Sequence, residues 1–234
     1  NPSPPTSARL LAIAIAIVAL AAAGCLFLPG DAWAQGQPMS FRLAQIAEGG
    51  CTRACPQVIV AEGVIEEETP QAFVDFLHSA AEQPGARSVV LLSSPGGRVV
   101  ASMRFGAELR QMGAAVIVAR SWREGGRDVT VSGQCMSACV YAMMGGVKRI
   151  VPAESQVGIH RMSREEVGEG ASRGPHPMMR AYASADMVAA LASYAAEMGV
   201  NPTVIRTAER ISPDQIHILS PAELRRWRVA SPKF

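Results

Sequence analysis

At 234 residues, 49% hydrophobic and with a formal net charge of +2, the chain is long enough for one sizeable core and too apolar for disorder. That charge gives no case for a nucleic-acid partner, and none is expected. The only basic cluster, Arg225-Arg226-Trp227-Arg228, reads as a solvated helix end.

In chain order, Arg9 precedes an uncharged apolar run from Leu10 to Gly30, and Ala32-Trp33-Ala34 then sets small residues before Gln35. A basic start, an apolar stretch and small residues before a cut form the pattern of a secretory signal. Residues 1–34 are expected to be a signal peptide cleaved after Ala34 or, because about 20 apolar residues can span a bilayer, a retained N-terminal hydrophobic helix anchoring the protein to a membrane. Both readings export the remainder, to the periplasm or to an extracytoplasmic membrane face. Residues 35–48 are expected to be a polar linker, and 49–234 a single domain.

Export makes disulfide candidates of Cys51, Cys55, Cys135 and Cys139. Both pairs have Cys-x-x-x-Cys spacing, and connectivity is open. A bridge between the pairs closes a loop of about 85 residues and stabilises by roughly 4–5 kcal/mol in the chain-entropy model, while bridges within each pair contribute much less. A four-thiolate zinc site tolerates this spacing but is less expected outside the cell. No metal and no cofactor are expected.

Gln57 to Ile65 is β-rich and predicts a strand. Thr69-Pro70 predicts a helix start, with Phe73, Phe76 and Leu77 as its apolar face. Arg87 to Ser93 reads as a strand buried on both faces, Ser94-Pro95-Gly96-Gly97 breaks it, and a helix is predicted from Val99 to Met112. Gly113 ends that helix before another buried strand, Ala114 to Ala119. Arg120 to Asp128 reads as a loop, Val129 to Ser132 as a short strand, and a helix is predicted after Ser137 up to Met144. Strands follow at Lys148–Val151 and Gln156–His160. Residues 161–177 look inserted, Met178 to Met198 reads as one long helix, and Asn201-Pro202 and Pro221 open two short ones. Strands alternating with helices imply an α/β domain with a parallel sheet.

Three local features carry chemistry. Adjacent glycines in Ser94-Pro95-Gly96-Gly97 let backbone N–H groups approach a ligand where a strand turns into a helix, which is how an oxyanion hole is built. Read alone, the same turn is an ordinary strand–helix connection. Ser137 lies among small residues at a helix start; alone it reads as an N-cap, since no Gly-x-Ser-x-Gly elbow surrounds it. His160 closes an apolar strand and alone reads as a structural histidine. His78, His176 and His217 are weaker candidates.

Taken together, these features resemble the Clp-type serine proteases of the Clp-protease/crotonase superfold, from about Gln57 to Val229. Ser94-Pro95-Gly96-Gly97 is similar to that family's oxyanion turn, Gly133-Gln134-x-x-Ser137 to its nucleophile segment, and Pro152-x-x-Ser155-x-Val157-x-Ile159-His160 to its histidine strand. Leu219-Ser220-Pro221-Ala222-Glu223 matches the stretch after its third catalytic residue. The closest resemblance is to an exported, Clp-like branch with Cys-x-Ser-Ala-Cys around the serine. The resemblance implies repeated β-β-α units with a mostly parallel sheet, and a peptide or protein substrate. It makes Ser137 the nucleophile, His160 the general base, and Gly97 and Ala138 the oxyanion donors with Gly96 shaping the hole. It also implies a homo-oligomer, assembled through the 178–198 helix and the 161–177 insertion. ATP is not expected, because the chain has no P-loop. One departure matters: Thr207 stands where the family has its aspartate, leaving Thr207, Glu209 and Asp214 as possible third members.

Overall fold

The computed structural model describes residues 36–46, 57–80, 86–167 and 178–230. The N-terminal apolar run, Cys51, Cys55 and His176 lie outside the described residues. Among the described residues, no helix is long and apolar enough to cross a membrane.

The strands in chain order are β1 (Ser40–Gln45), β2 (Gln57–Glu62), β3 (Ala86–Ser93), β4 (Ala115–Glu124), β5 (Arg127–Ser132), β6 (Gln134–Met136), β7 (Lys148–Ile150), β8 (Gln156–Ile159), β9 (Ser163–Val167), β10 (Met178–Tyr182) and β11 (His217–Ile218). The helices are α1 (Thr69–Ala80), α2 (Val99–Gln111), α3 (Cys139–Met144), α4 (Ala185–Glu197), α5 (Thr203–Ala208) and α6 (Pro221–Arg226). The domain is α/β, as expected. In the main sheet β2, β3, β4 and β7 run parallel, while β1 and β5 join antiparallel. The helix-bearing unit β1-β2-α1 fits the β-β-α expectation. The next unit is a plain β-α step, β3-α2.

The apolar runs of β2 and β3 are explained by burial on both faces. Ile59, Ala61, Val90 and Leu92 face one core with Phe73 of α1 and Phe105 of α2. Val58, Val60 and Leu91 face a second, smaller core with Ala44, Ile46 and Ala119. Phe41 of β1 joins the first core, its ring centroid 5.1 Å from that of Phe73 and 5.6 Å from that of Phe105.

Three expectations are corrected by local chemistry. The 35–48 linker contains β1, because Phe41 and Leu43 point to one core while Ala44 and Ile46 serve the other. The Arg120–Asp128 loop is a hairpin: β4 continues to Glu124 and β5 returns through Gly125-Gly126, at φ 55° and 80°. Two successive left-handed residues are what a tight turn between twisted strands requires. The 178–198 helix is split. Met178–Tyr182 pairs antiparallel with β9, and the helix begins only after Ser184, whose hydroxyl accepts the Met187 N–H at 3.2 Å.

The cysteine expectation resolves for one pair. Cys135 and Cys139 form a disulfide, with a Cα–Cα distance of 5.2 Å, which rules out a bridge from these residues to Cys51 or Cys55. Its small ring contributes roughly 2 kcal/mol in the chain-entropy model, well short of the long-loop alternative.

The sheet and helices are tied together at buried Arg149 on β7. Its guanidinium donates to the carbonyls of Val229, Met144, Gly146, Met198 and Arg228 at 2.7–3.3 Å, joining the ends of α3 and α4 to the C-terminal segment. Burial lowers its pKa to about 10, with Arg110 and Arg228 adding repulsion. The group stays cationic at neutral pH.

Candidate active site

A second, three-stranded sheet positions the chemistry. β6 pairs parallel with β8, and β8 pairs antiparallel with β11. β6 ends at Met136, immediately before Ser137, and β8 ends at Ile159, immediately before His160, so parallel pairing sends both side chains out of the same end of the sheet. β6 is also stitched to the end of β3. Ser94 N–H donates to Gln134 O at 2.8 Å and Met136 N–H to Ser94 O at 3.0 Å, while Gln134 N–H reaches the Ser93 hydroxyl at 3.2 Å. That stitching lays the Ser94-Pro95-Gly96-Gly97 turn against Ser137.

The turn has the conformation its glycines allow. Gly96 and Gly97 lie at φ 111° and 139°, where side chains are strained. A Cβ on Gly96 would meet Met136 O at 2.8 Å and Ser137 Cβ at 2.9 Å, and one on Gly97 would run into the backbone of Ile65. Ile65 bonds the peptides on either side of Gly97, donating to Gly96 O and accepting from Arg98 N–H, both at 2.8 Å. In this parallel bridge the Gly97 N–H is turned away from Ile65. The buried Ser94 hydroxyl accepts the Gly96 N–H at 3.1 Å and fixes the turn's entry. Because a Cβ at Gly97 collides with backbone, Gly97→Pro disturbs packing as well as a donor.

Ser137 is not an N-cap. The helix that follows is capped at Ala138 without any side-chain hydrogen bond. Ser137 itself has φ 55°, a left-handed conformation uncommon for a residue with a Cβ and costing roughly 1–3 kcal/mol. It is held there from the backbone, its N–H donating to Gly158 O at 2.8 Å and its carbonyl accepting the Val140 N–H at 3.1 Å. Arg228 shares this φ away from the cavity, so the strain points to function at Ser137 only together with the cavity that Ser137 lines.

Gly97, Ser137, Ala138 and His160 line one cavity of about 60 Å³. Val140, Met144, Val204 and Ile205 supply apolar lining beside these groups. An adjoining groove of about 410 Å³ shares Gly97, Val99, Met162 and Ser163 and runs on past Arg98, Arg164 and Tyr182. The distant segments that sequence reasoning grouped are thus brought together. No hydrogen bond joins the Ser137 hydroxyl to the His160 ring.

His160 is half-buried, and its enclosed Nδ1 has no hydrogen-bond partner. Burial pushes its pKa below the usual imidazole value, offset in part by the Arg161 backbone. It is therefore neutral at pH 7 and able to accept a proton. None of the three possible third members bonds to it. The Thr207 hydroxyl turns back to Thr203 O at 2.9 Å, Glu209 pairs with Arg161 Nε at 3.3 Å, and exposed Asp214 pairs with Arg180 at 2.8 Å. Arg161 also stacks over Tyr182, 4.1 Å from its ring centroid. Burial, and then the Glu209 charge, push the Tyr141 phenol up, so this cavity residue stays neutral.

Sequence reasoning placed Ser94 in the glycine turn and Glu209 among possible third members, but missed the Ser94 hydroxyl as the acceptor of the Gly96 N–H, the Gly158 carbonyl that holds Ser137, and the pairing of Glu209 with Arg161. The last two depend on contacts between distant segments, which leave no local signal. The weaker candidate His217 is held by Glu223 at 2.9 Å, on β11, and does not line the cavity.

Solved structures similar to this chain include two of one protease. One is a serine-to-alanine variant of the 1510-N membrane-bound stomatin-specific protease, with a TM-score of 0.48 and 20% identity over 74% of this chain and 75% of that one. The other is a lysine-to-alanine variant of that protease in complex with a substrate peptide, with a TM-score of 0.46 and 21% identity over 74% and 71% of the two chains. No family model and no curated protein matches the chain. The chemistry rests on the cavity and not on these likenesses.

Proposed function

We propose that the chain is an exported serine hydrolase of the Clp-protease/crotonase superfold, an ATP-independent peptidase. The observation that carries this reading is the single cavity shared by Gly97, Ser137, Ala138 and His160. Ser137 Oγ attacks the substrate carbonyl while His160 takes its proton through Nε2, the ring nitrogen away from the enclosed Nδ1. The developing oxyanion is received by the N–H groups of Gly97 and Ala138, each worth about 3–4 kcal/mol in comparable sites. The tetrahedral intermediate collapses to the acyl-enzyme as protonated His160 gives its proton to the leaving amine. Neutral His160 then takes a proton from the water that attacks the acyl carbonyl and returns it to Ser137 Oγ as the acid product leaves. The buried disulfide supports an oxidising compartment, and with it a signal peptide or membrane anchor at residues 1–34. Homo-oligomerisation belongs to the same reading.

A second reading, a Clp-like scaffold with a weak or inactive site, is favoured by the unpartnered His160 Nδ1 and by the absence of a Ser137–His160 hydrogen bond. A fluorophosphonate probe separates the two. The peptidase labels on Ser137, and Ser137→Ala abolishes the label. A folded wild-type protein that never labels leaves the scaffold.

A further inference from the structure

The Cys135–Cys139 disulfide straddles Ser137, with Met136, Ser137 and Ala138 between its ends. Both cysteines are fully buried and both are anchored: Cys135 pairs with Val157 across β6 and β8, and Cys139 is the first residue of α3. Ser137 therefore sits at the top of a small closed ring whose two feet are fixed in the core. A serine at a strand-to-helix junction has an easier alternative, the extended N-cap conformation with its hydroxyl turned to its own helix. Ser137 adopts neither that backbone nor that bond. Sterically unfavourable backbone persists only where its surroundings over-determine it.

We infer that the Cys135–Cys139 disulfide is a positioning element that holds Ser137 in its left-handed turn, hydroxyl toward the cavity, and keeps it from relaxing into an N-cap. The catalytic consequence rests on Ser137 being the nucleophile; the conformational one does not.

The test is Cys135→Ala/Cys139→Ala in the full chain, read in two ways. Under the inference, fluorophosphonate labelling of Ser137 slows about 100-fold, as a misplacement near 1 Å does. Amide exchange at Ser137 N–H, bonded to Gly158 O, quickens about tenfold with exchange in β3 unchanged. A folded variant that labels within about twofold of wild type, or whose Ser137 amide exchanges at the wild-type rate, overturns it. If wild type does not label at all, the peptidase reading fails and the exchange readout alone decides the clamp. If the double variant does not fold, oxidised protein is compared with protein treated with a water-soluble phosphine under the same readouts. The phosphine takes its oxygen from water to become the oxide, and the S–S bond becomes two thiols.

Discussion

Arg149 delivers its guanidinium to five backbone carbonyls, whereas His160, immediately after the next strand along the chain, has an enclosed Nδ1 with no hydrogen-bond partner. Buried polar atoms are almost always matched, because leaving one unmatched costs about 1–3 kcal/mol. Arg149 follows that rule and binds three segments into one body. His160 breaks it, as Gln57 Oε1 and Arg110 Nε do elsewhere, but it alone of these does so in the cavity it shares with a serine in strained backbone and a turn of glycines. The same contrast separates two kinds of residue that sequence alone treats alike, a buried cation that staples and a half-buried imidazole proposed as a base.

The comparison can be broken from either side. The largest effect is expected at Ser137: with no carboxylate behind His160, Ser137→Ala should lower peptidase turnover by roughly 10²-fold, the share of a full triad that remains once the orienting acid is missing, with circular dichroism unchanged. Arg149→Met should strip five carbonyls of their donor and lower the unfolding free energy by about 3 kcal/mol or more in urea titrations; a loss under about 1 kcal/mol would show that water replaces the guanidinium. Thr207→Asp offers His160 the carboxylate that the family resemblance lacks here. It should raise turnover at least about tenfold, given that an orienting carboxylate can be worth 10⁴. It should also move the acidic limb of kcat/KM. In the wild type, burial depresses the imidazole, so activity should be fully developed from below the usual imidazole range upward and lost as pH falls through the depressed value. An anion that reaches the ring from position 207 raises that value and shifts the limb to higher pH, so an unmoved limb would show that position 207 does not reach it.

The smallest effect belongs to α6. Ser220 and Glu223 form a reciprocal capping box, and Ser220→Ala should cost about 1 kcal/mol by thermal unfolding. The Glu223 carboxyl is held at about 2, first by the Ser220 backbone N–H and then by its hydroxyl, with His217 adding to the effect. A depressed carboxylate stabilises above its unfolded value and loses that contribution as pH falls toward its folded one. The capping-box contribution should therefore be intact at pH 6 and fade between the ordinary carboxylate range and about 2.

Much of this was legible in the sequence for a physical reason. Buried strands such as Arg87–Ser93 and glycine stops such as Gly113 are local, and composition alone reports them. The order of Ser94-Pro95-Gly96-Gly97, Ser137 and His160 along an α/β pattern was enough to group them. Other features were hidden because they depend on tertiary partners. β1 needs two cores to make sense of Phe41 and Ala44 in one short stretch. The hairpin needed Gly125-Gly126 read as a turn between extended partners, while a helix-compatible Met/Ala composition masked the strand at Met178–Tyr182. The left-handed backbone of Ser137 was hidden because the Gly158 carbonyl that receives its N–H lies on a distant segment; the flanking cysteines were visible, but their pairing with each other was not.

The most direct measurement is a crystal structure of the protein after reaction with a peptidyl phosphonate. The expected adduct lies on Ser137 Oγ, with its phosphoryl oxygen within hydrogen-bond reach of the Gly97 and Ala138 N–H groups and His160 beside the leaving-group position. An adduct on any other residue, or one on Ser137 whose oxygen faces neither amide, contradicts the shared-cavity mechanism.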